Sequence, residues 1–213
     1  MDIMNDKVEE ELKKLEAQEI RILELGKIML STSHYPIDFL ASAVLDRALH
    51  LIFGFTCLVR GENYITACHL VRCHLDNVIR FSAAWLVDDP HKFAEKIMSG
   101  KRIDKMKDRD GNFLKDSYLK DILNDENPWV NNVYKETSGF IHLSRKHIFT
   151  SSKLGSEEGT IEIRISKKDN FVPDSARIEA TRGMNEITNL LCHFIEDWIW
   201  TKNIPEKNLN SNK

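Results

Sequence analysis

Residues 37–61 read IDFLASAVLDRALHLIFGFTCLVRG, and residues 62–88 continue ENYITACHLVRCHLDNVIRFSAAWLVD. Wound at about 100° per residue, both stretches carry apolar side chains over most of their circumference. Gly61 ends the first, and Asp88-Asp89-Pro90 ends the second. Two consecutive helices of this kind form the buried central hairpin of a helical bundle, and that reading decides the fold class.

The flanking sequence extends the bundle in both directions. Val8, Leu12, Leu15, Ile22 and Met29 recur at spacings of three, four and seven, which predicts a helix over about 3–31 with one narrow apolar stripe. Such a stripe docks on a bundle or pairs with a copy of itself. Beyond the hairpin, 90–109 reads as a polar helix interrupted near Ser99-Gly100. Residues 113–124 read as a short amphipathic helix, and Asn127-Pro128 opens another to about 145. The period then changes. Lys146–Ser152 and Thr160–Ser166 are β-branched stretches around a Gly- and Glu-rich loop, which predicts an inserted β-hairpin. A last helix over about 175–202 carries Met184, Ile187, Leu191, Phe194 and Trp198 on one stripe, with Trp200 opposite as a candidate subunit contact. The expectation is a mainly α bundle of six or seven helices with one inserted hairpin at 146–166. It forms a single domain over 1–204, and 205–213 is a disordered tail.

Composition bounds the function class. The 213 residues carry 30 Lys plus Arg against 33 Asp plus Glu, a net charge of -3, so any anion site must be a local patch. The charged start predicts no signal peptide, and no apolar run reaches about 18 residues, so a cytoplasmic protein with no membrane contact is expected. The cysteines Cys57, Cys68, Cys73 and Cys192 form no CxxC pair. Cys68 and Cys73 diverge by about 140° on a helix. Only His69 and Cys73 share a face, two ligands where zinc takes three or four. No metal and no cofactor are expected.

The chemistry-bearing residues are those read as sitting on apolar faces. The stripe Ile65, Cys68, Leu75, Ile79, Ala83 and Leu86 includes Arg72, with Asp76 one turn on. The stripe Phe39, Leu49, Phe53 and Cys57 includes Asp46, with His50 one turn on. A buried guanidinium needs a carboxylate or an anionic ligand. Two readings follow: a structural ion pair of Arg72 with Asp76 or Asp46, or a polar pocket in which Arg72 receives a phosphate or carboxylate. In the stretch 134–144, Tyr134, Ser138 and His142 fall on one helical face. The ligand-binding set is therefore Asp46, His50, Arg72, Asp76, Ser138 and His142. Over 92–109 seven cations (Lys92, Lys96, Lys101, Arg102, Lys105, Lys107, Arg109) face three acids (Glu95, Asp104, Asp108), a surplus of four. This is a solvated helix face or a phosphate-tracking rim with Tyr118 or Trp129 for stacking.

The run Leu70–Asp76 with Asp88-Asp89-Pro90, followed far downstream by Ser138 and His142-Leu143-Ser144, resembles an uncharacterised bacterial helical family over roughly residues 40–200. That family has no settled activity. The chain is also distantly similar to HEPN domains, helical dimers that often act as metal-independent ribonucleases in defence systems. Their motif is an Arg, four to six residues, then a His; here only Lys135 to His142 approximates it, with Lys in place of Arg. These resemblances imply a bacterial stress- or defence-associated binding or regulatory module taking a small anionic or phosphate ligand. A homodimer through the N- or C-terminal helix and a protein partner from the same locus belong to the same expectation. The alternative is an RNA-cleaving effector, with His142 as general acid/base and Arg72 stabilising phosphate charge as its catalytic residues.

Overall fold

The structure is a computed structural model that describes residues 6–203, so the expected tail at 205–213 lies outside the described residues. It is mainly helical, with eight α-helices and one two-stranded antiparallel hairpin. In chain order these are α1 (Asp6–Leu30), α2 (Pro36–Arg60), α3 (Tyr64–Ser82), α4 (Pro90–Met98), α5 (Asp116–Glu126), α6 (Trp129–Ile141), α7 (Arg145–Ser151), β1 (Ser152–Leu154), β2 (Ile161–Ile163) and α8 (Asp174–Lys202).

The expected stripe of α1 is fully buried: Val8, Leu12, Leu15, Ile22 and Met29 pack into a layer shared with α8 and α2. Polar pairs fix its register. The Arg21 guanidinium donates to Glu196 and Asn189 of α8, and Arg60 of α2 bridges Glu9 and Glu16. Helix α3 runs through the centre, touching α2, α5, α6 and α8. Its His74 is fully buried against Thr188 of α8. The Thr188 hydroxyl donates to the Met184 carbonyl (2.9 Å), so its oxygen accepts from His74 Nε2–H (3.0 Å).

Helix α2 departs from the wheel reading. Its core side is Ile37, Ala41, Val44, Leu45, Ala48, Ile52, Phe55 and Val59, while Phe39 and Phe53 are 62% and 66% exposed. The cause is the helix's near-uniform apolarity. With apolar residues on every side, the two exposed phenylalanines draw a stripe as convincing as the true one. Only the polar cluster Asp46, Arg47 and His50 marks the solvent side. The same apolarity gives α2 the length and composition of a membrane span, a property that the core helix of a bundle shares. Here it packs against α1, α3 and α4.

The second departure is α7. Residues read as the first hairpin strand begin as a helical turn because Ser144 caps it: its Oγ accepts from Lys146 N–H, and His147 Nδ1 accepts from Ser144 N–H. The hairpin proper is shorter, pairing Ser152 with Ile163 and Leu154 with Ile161. Its polar face turns inward. Lys153 and Arg164 flank Glu162 and lie over the Phe171 ring at 5.1 and 5.5 Å, leaving Ile161, Ile163 and Ile165 exposed.

A buried ion pair closes the far end of the bundle. Asp38, in the first turn of α2, accepts from Lys202 Nζ (3.0 Å), Trp198 Nε1–H (2.6 Å) and the Tyr35 backbone N–H (2.7 Å). Lys202 also donates to the Met29 carbonyl (2.7 Å). Both charged side chains are only 2% exposed. Removing one partner of such a pair strands the other charge in a low-dielectric site. Asp38→Ala is therefore expected to lower unfolding free energy by about 3–5 kcal/mol. Asp46→Ala, on the exposed face, should stay within about 0.5 kcal/mol of wild type by chemical denaturation.

Candidate functional site

The structure brings together three of the six expected site residues. Arg72 of α3, its side chain 12% exposed, donates from Nε to Asp76 Oδ1 (2.9 Å) and from Nη1 to Ser138 Oγ (2.6 Å). Its guanidinium carbon lies 3.5 Å from the centre of the Tyr134 ring. The Ser138 hydroxyl in turn donates a hydrogen bond to the Tyr134 carbonyl (2.6 Å). The guanidinium thus spends its charge on one carboxylate, one hydroxyl, the Tyr134 carbonyl (3.4 Å) and one ring face, and it ties α3 to α6. Burial pushes the Asp76 carboxyl above its usual range even with Arg72 beside it.

The other three residues are elsewhere. Asp46 and His50 face solvent, 74% and 78% exposed, with Nε2 and Oδ2 3.7 Å apart. They contribute nothing to an internal pocket, because the α2 face on which they sit is the outer one. His142 is exposed and stands just past the end of α6, with φ -108° and ψ 145°. The i, i+4 rule that placed it beside Ser138 holds only inside a helix, and α6 stops at Ile141.

A second concavity lies between α3, α6, α7 and α8. It is an apolar groove of about 300 Å³ lined by Tyr64, Val71, Phe140, Phe149, Phe171 and Ala180. Burial pushes the Cys68 thiol at its side up to about 12, so it is inert as a nucleophile.

The basic stretch forms a third site, and it is built locally. Asp89 caps α4, accepting from the N–H groups of His91 and Lys92 (both 3.0 Å); those amides hold its carboxyl below the usual range. Phe93 and Ala94 bury the inner face of α4, so Lys92 and Lys96 stand outward one turn apart. The helix ends on Gly100 at φ +87°, a conformation that favours glycine. Gly100 N–H donates to Ile97 and Lys101 N–H to Lys96 (both 2.9 Å), a closure that turns the chain back over the helix end. The following segment brings in Lys105 and Lys107. It is pinned by Arg109, whose guanidinium donates to the carbonyls of Trp85 (2.7 Å), Leu86 (3.1 Å) and Val87 (3.2 Å).

The result is a groove of about 480 Å³ floored by Val87, Phe93 and Met106 and rimmed by Lys92, Lys96, Lys101, Lys105 and Lys107. Among the described residues, Asp88 and Asp89 are the only acids lining it. The two arginines of the stretch are consumed locally, Arg102 by Asp104 (2.6 Å) and Arg109 by the carbonyls above. Lys92 meets Asp89 at 3.4 Å, and Lys107 lies 5.0 Å from the centre of the Phe113 ring. The side chains of Lys96, Lys101 and Lys105 have no ion pair or hydrogen bond to any described residue. The aromatic wall is Phe113, not the expected Tyr118 or Trp129: the Tyr118 hydroxyl is held by Asp108 (2.5 Å) and Asn112 (3.2 Å), and Trp129 packs on the core. The sequence signals for this groove are the Asp-Pro cap and Gly100, which fold the lysines toward one another.

No known protein family, curated protein or solved structure matches the chain.

The buried His74 gives this region a pH signature. Burial, with Arg47 adding to it, pushes its imidazole down to about 3. An unfolded histidine takes up its proton near pH 6.5, so below that pH the unfolded chain binds more protons than the folded one. His74 thus costs nothing above pH 6.5, and stability falls as pH drops from 6.5 toward 3. A series of melting temperatures across that window should show the decline. His74→Gln, which keeps a donor for Thr188, should flatten its upper part.

Proposed function

We propose that this protein is a binding module for a ligand bearing several phosphates, taken up in the lysine-rimmed groove between α4 and residues 101–113. One observation carries the reading: Lys96, Lys101 and Lys105 converge on one concavity with no ion pair to any described residue, and the five lysines on its rim outnumber the two acids, Asp88 and Asp89, in a chain whose net charge is -3. Gathering like charges costs energy in the free protein, and a polyanion removes that cost. Lysines are flexible point charges and suit a chain of phosphates better than a single planar carboxylate. The apolar floor and Phe113 offer a surface for a base or another flat group attached to those phosphates.

The anionic chemistry suggested by Arg72 is thereby assigned to other residues. A ligand at Arg72 would have to displace Asp76 and Ser138 and leave a half-buried carboxylate without its partner. The same demand weighs against RNA cleavage by Arg72 with His142, because the guanidinium would need release before it met a phosphate.

Calorimetric titration with inorganic tripolyphosphate tests the proposal. Binding is expected, weakening steeply as salt rises. The double variant Lys101→Glu/Lys105→Glu should lose at least about tenfold in affinity, equivalent to 1.4 kcal/mol. Ser138→Ala should bind as wild type does. Parallel titrations with a nucleoside triphosphate and with a short single-stranded RNA separate the two sources of phosphate. The absence of binding at millimolar tripolyphosphate, or equal binding by the double variant, would sink the idea.

A further inference from the structure

We infer that the exposed face of α2 is the contact between two copies of this chain, packed antiparallel about a two-fold axis at the level of Ala48. Along that face run Phe39, Asp46, His50, Phe53 and Cys57, all exposed and spaced seven, four, three and four apart. That spacing keeps them on one strip, about 27 Å long from end to end. Two large aromatic side chains on one solvent-facing strip call for a cover.

The strip is complementary to itself when the two copies run antiparallel. In a two-fold contact, residue i meets residue j and j meets i. About an axis at Ala48, Asp46 meets the partner's His50, a pairing of opposite character. Phe53 meets the partner's Ala43, and Phe39 meets the partner's Cys57, each a large side chain against a small one. A parallel pairing would set Asp46 against Asp46 and His50 against His50, which is repulsive when they are charged.

Helix α1 widens the surface. Glu9 and Glu16 reach Arg60 of α2, and Leu23 continues that row seven residues further on, with Ile20 one turn from Glu16. Ile20 and Leu23 are 63% and 61% exposed. A small specific interface takes roughly 600–800 Å² on each copy, and the α1 flank adds apolar surface to the strip toward that size. A lipid surface fits worse, because Asp46 and His50 would lie at the centre of the buried face.

Sedimentation velocity on the full chain at about 100 µM, where a micromolar contact is populated, is the test. Wild type is expected as a dimer, and Phe53→Glu and Asp46→Lys as monomers with unchanged helical circular dichroism. The double variant Asp46→Lys/His50→Glu restores an opposite pair with reversed polarity and should dimerise again. Phe39→Cys should form an intermolecular disulfide with Cys57 of the second copy under mild oxidation. A wild-type monomer, a dimer that Phe53→Glu leaves intact, or a double variant no better than Asp46→Lys alone would each overturn the inference.

Discussion

The buried pair of Asp38 and Lys202 is the contact on which the rest of the bundle hangs. Both charges lie out of water, and between them they use every strong partner within reach: Trp198, the Tyr35 amide and the Met29 carbonyl. The pair joins the end of α1, the start of α2 and the end of α8 at one point, with Tyr35, His91 and Trp198 packed around it. Once α8 is fixed there, Thr188 is in place for His74, which sets the rotation of α3. That rotation aims Arg72 at Ser138 and so positions α6. A desolvated ion pair gains little net energy over an apolar pair of similar size. Its value here is directional, because only one docking of α8 satisfies both charges.

The same accounting separates structure from candidate function. Charges drawn into the body of the protein are neutralised by the chain itself, as at Asp38, Arg72 and Arg177, the last flanked by Asp169 and Asp174. Of the cations left without an ion pair, Lys96, Lys101 and Lys105 stand close enough to act together. They collect where α4 ends at Gly100 and the chain folds back. A group whose partner is missing inside the molecule is the group with affinity to spare for something outside it.

Much of the fold was legible in the sequence because its signals are local. The α1 stripe, the stop at Gly61, the Asp89-Pro90 start and the α8 stripe each rest on periodicity or capping within a few residues. The failures share a physical origin in the need for knowledge of neighbours. On α2 the apolar pattern has no polar half, so the true core side was set by α1 and α3 and not by the wheel. His142 reads as helical because the sequence just after Ile141 carries no Gly or Pro. Asp38 reads as an ordinary first-turn acid; its importance comes from Lys202, 164 residues away. At the candidate site, the Arg72–Asp76 pair was legible from i, i+4 spacing, whereas the contribution of Ser138 required the packing of α6. The convergence of the lysines depended on Gly100 reversing the chain, which spacing alone does not show.

The central claim is that ligand-directed charge sits in the lysine groove and that the charge at Arg72 is structural. Residue-resolved NMR during titration with tripolyphosphate addresses it directly. The account predicts amide shifts that saturate together over residues 88–113, with the Arg72 side-chain Nε–H and the Ser138 amide unmoved. Shifts at Arg72 and Ser138 with the 88–113 amides unchanged would contradict it.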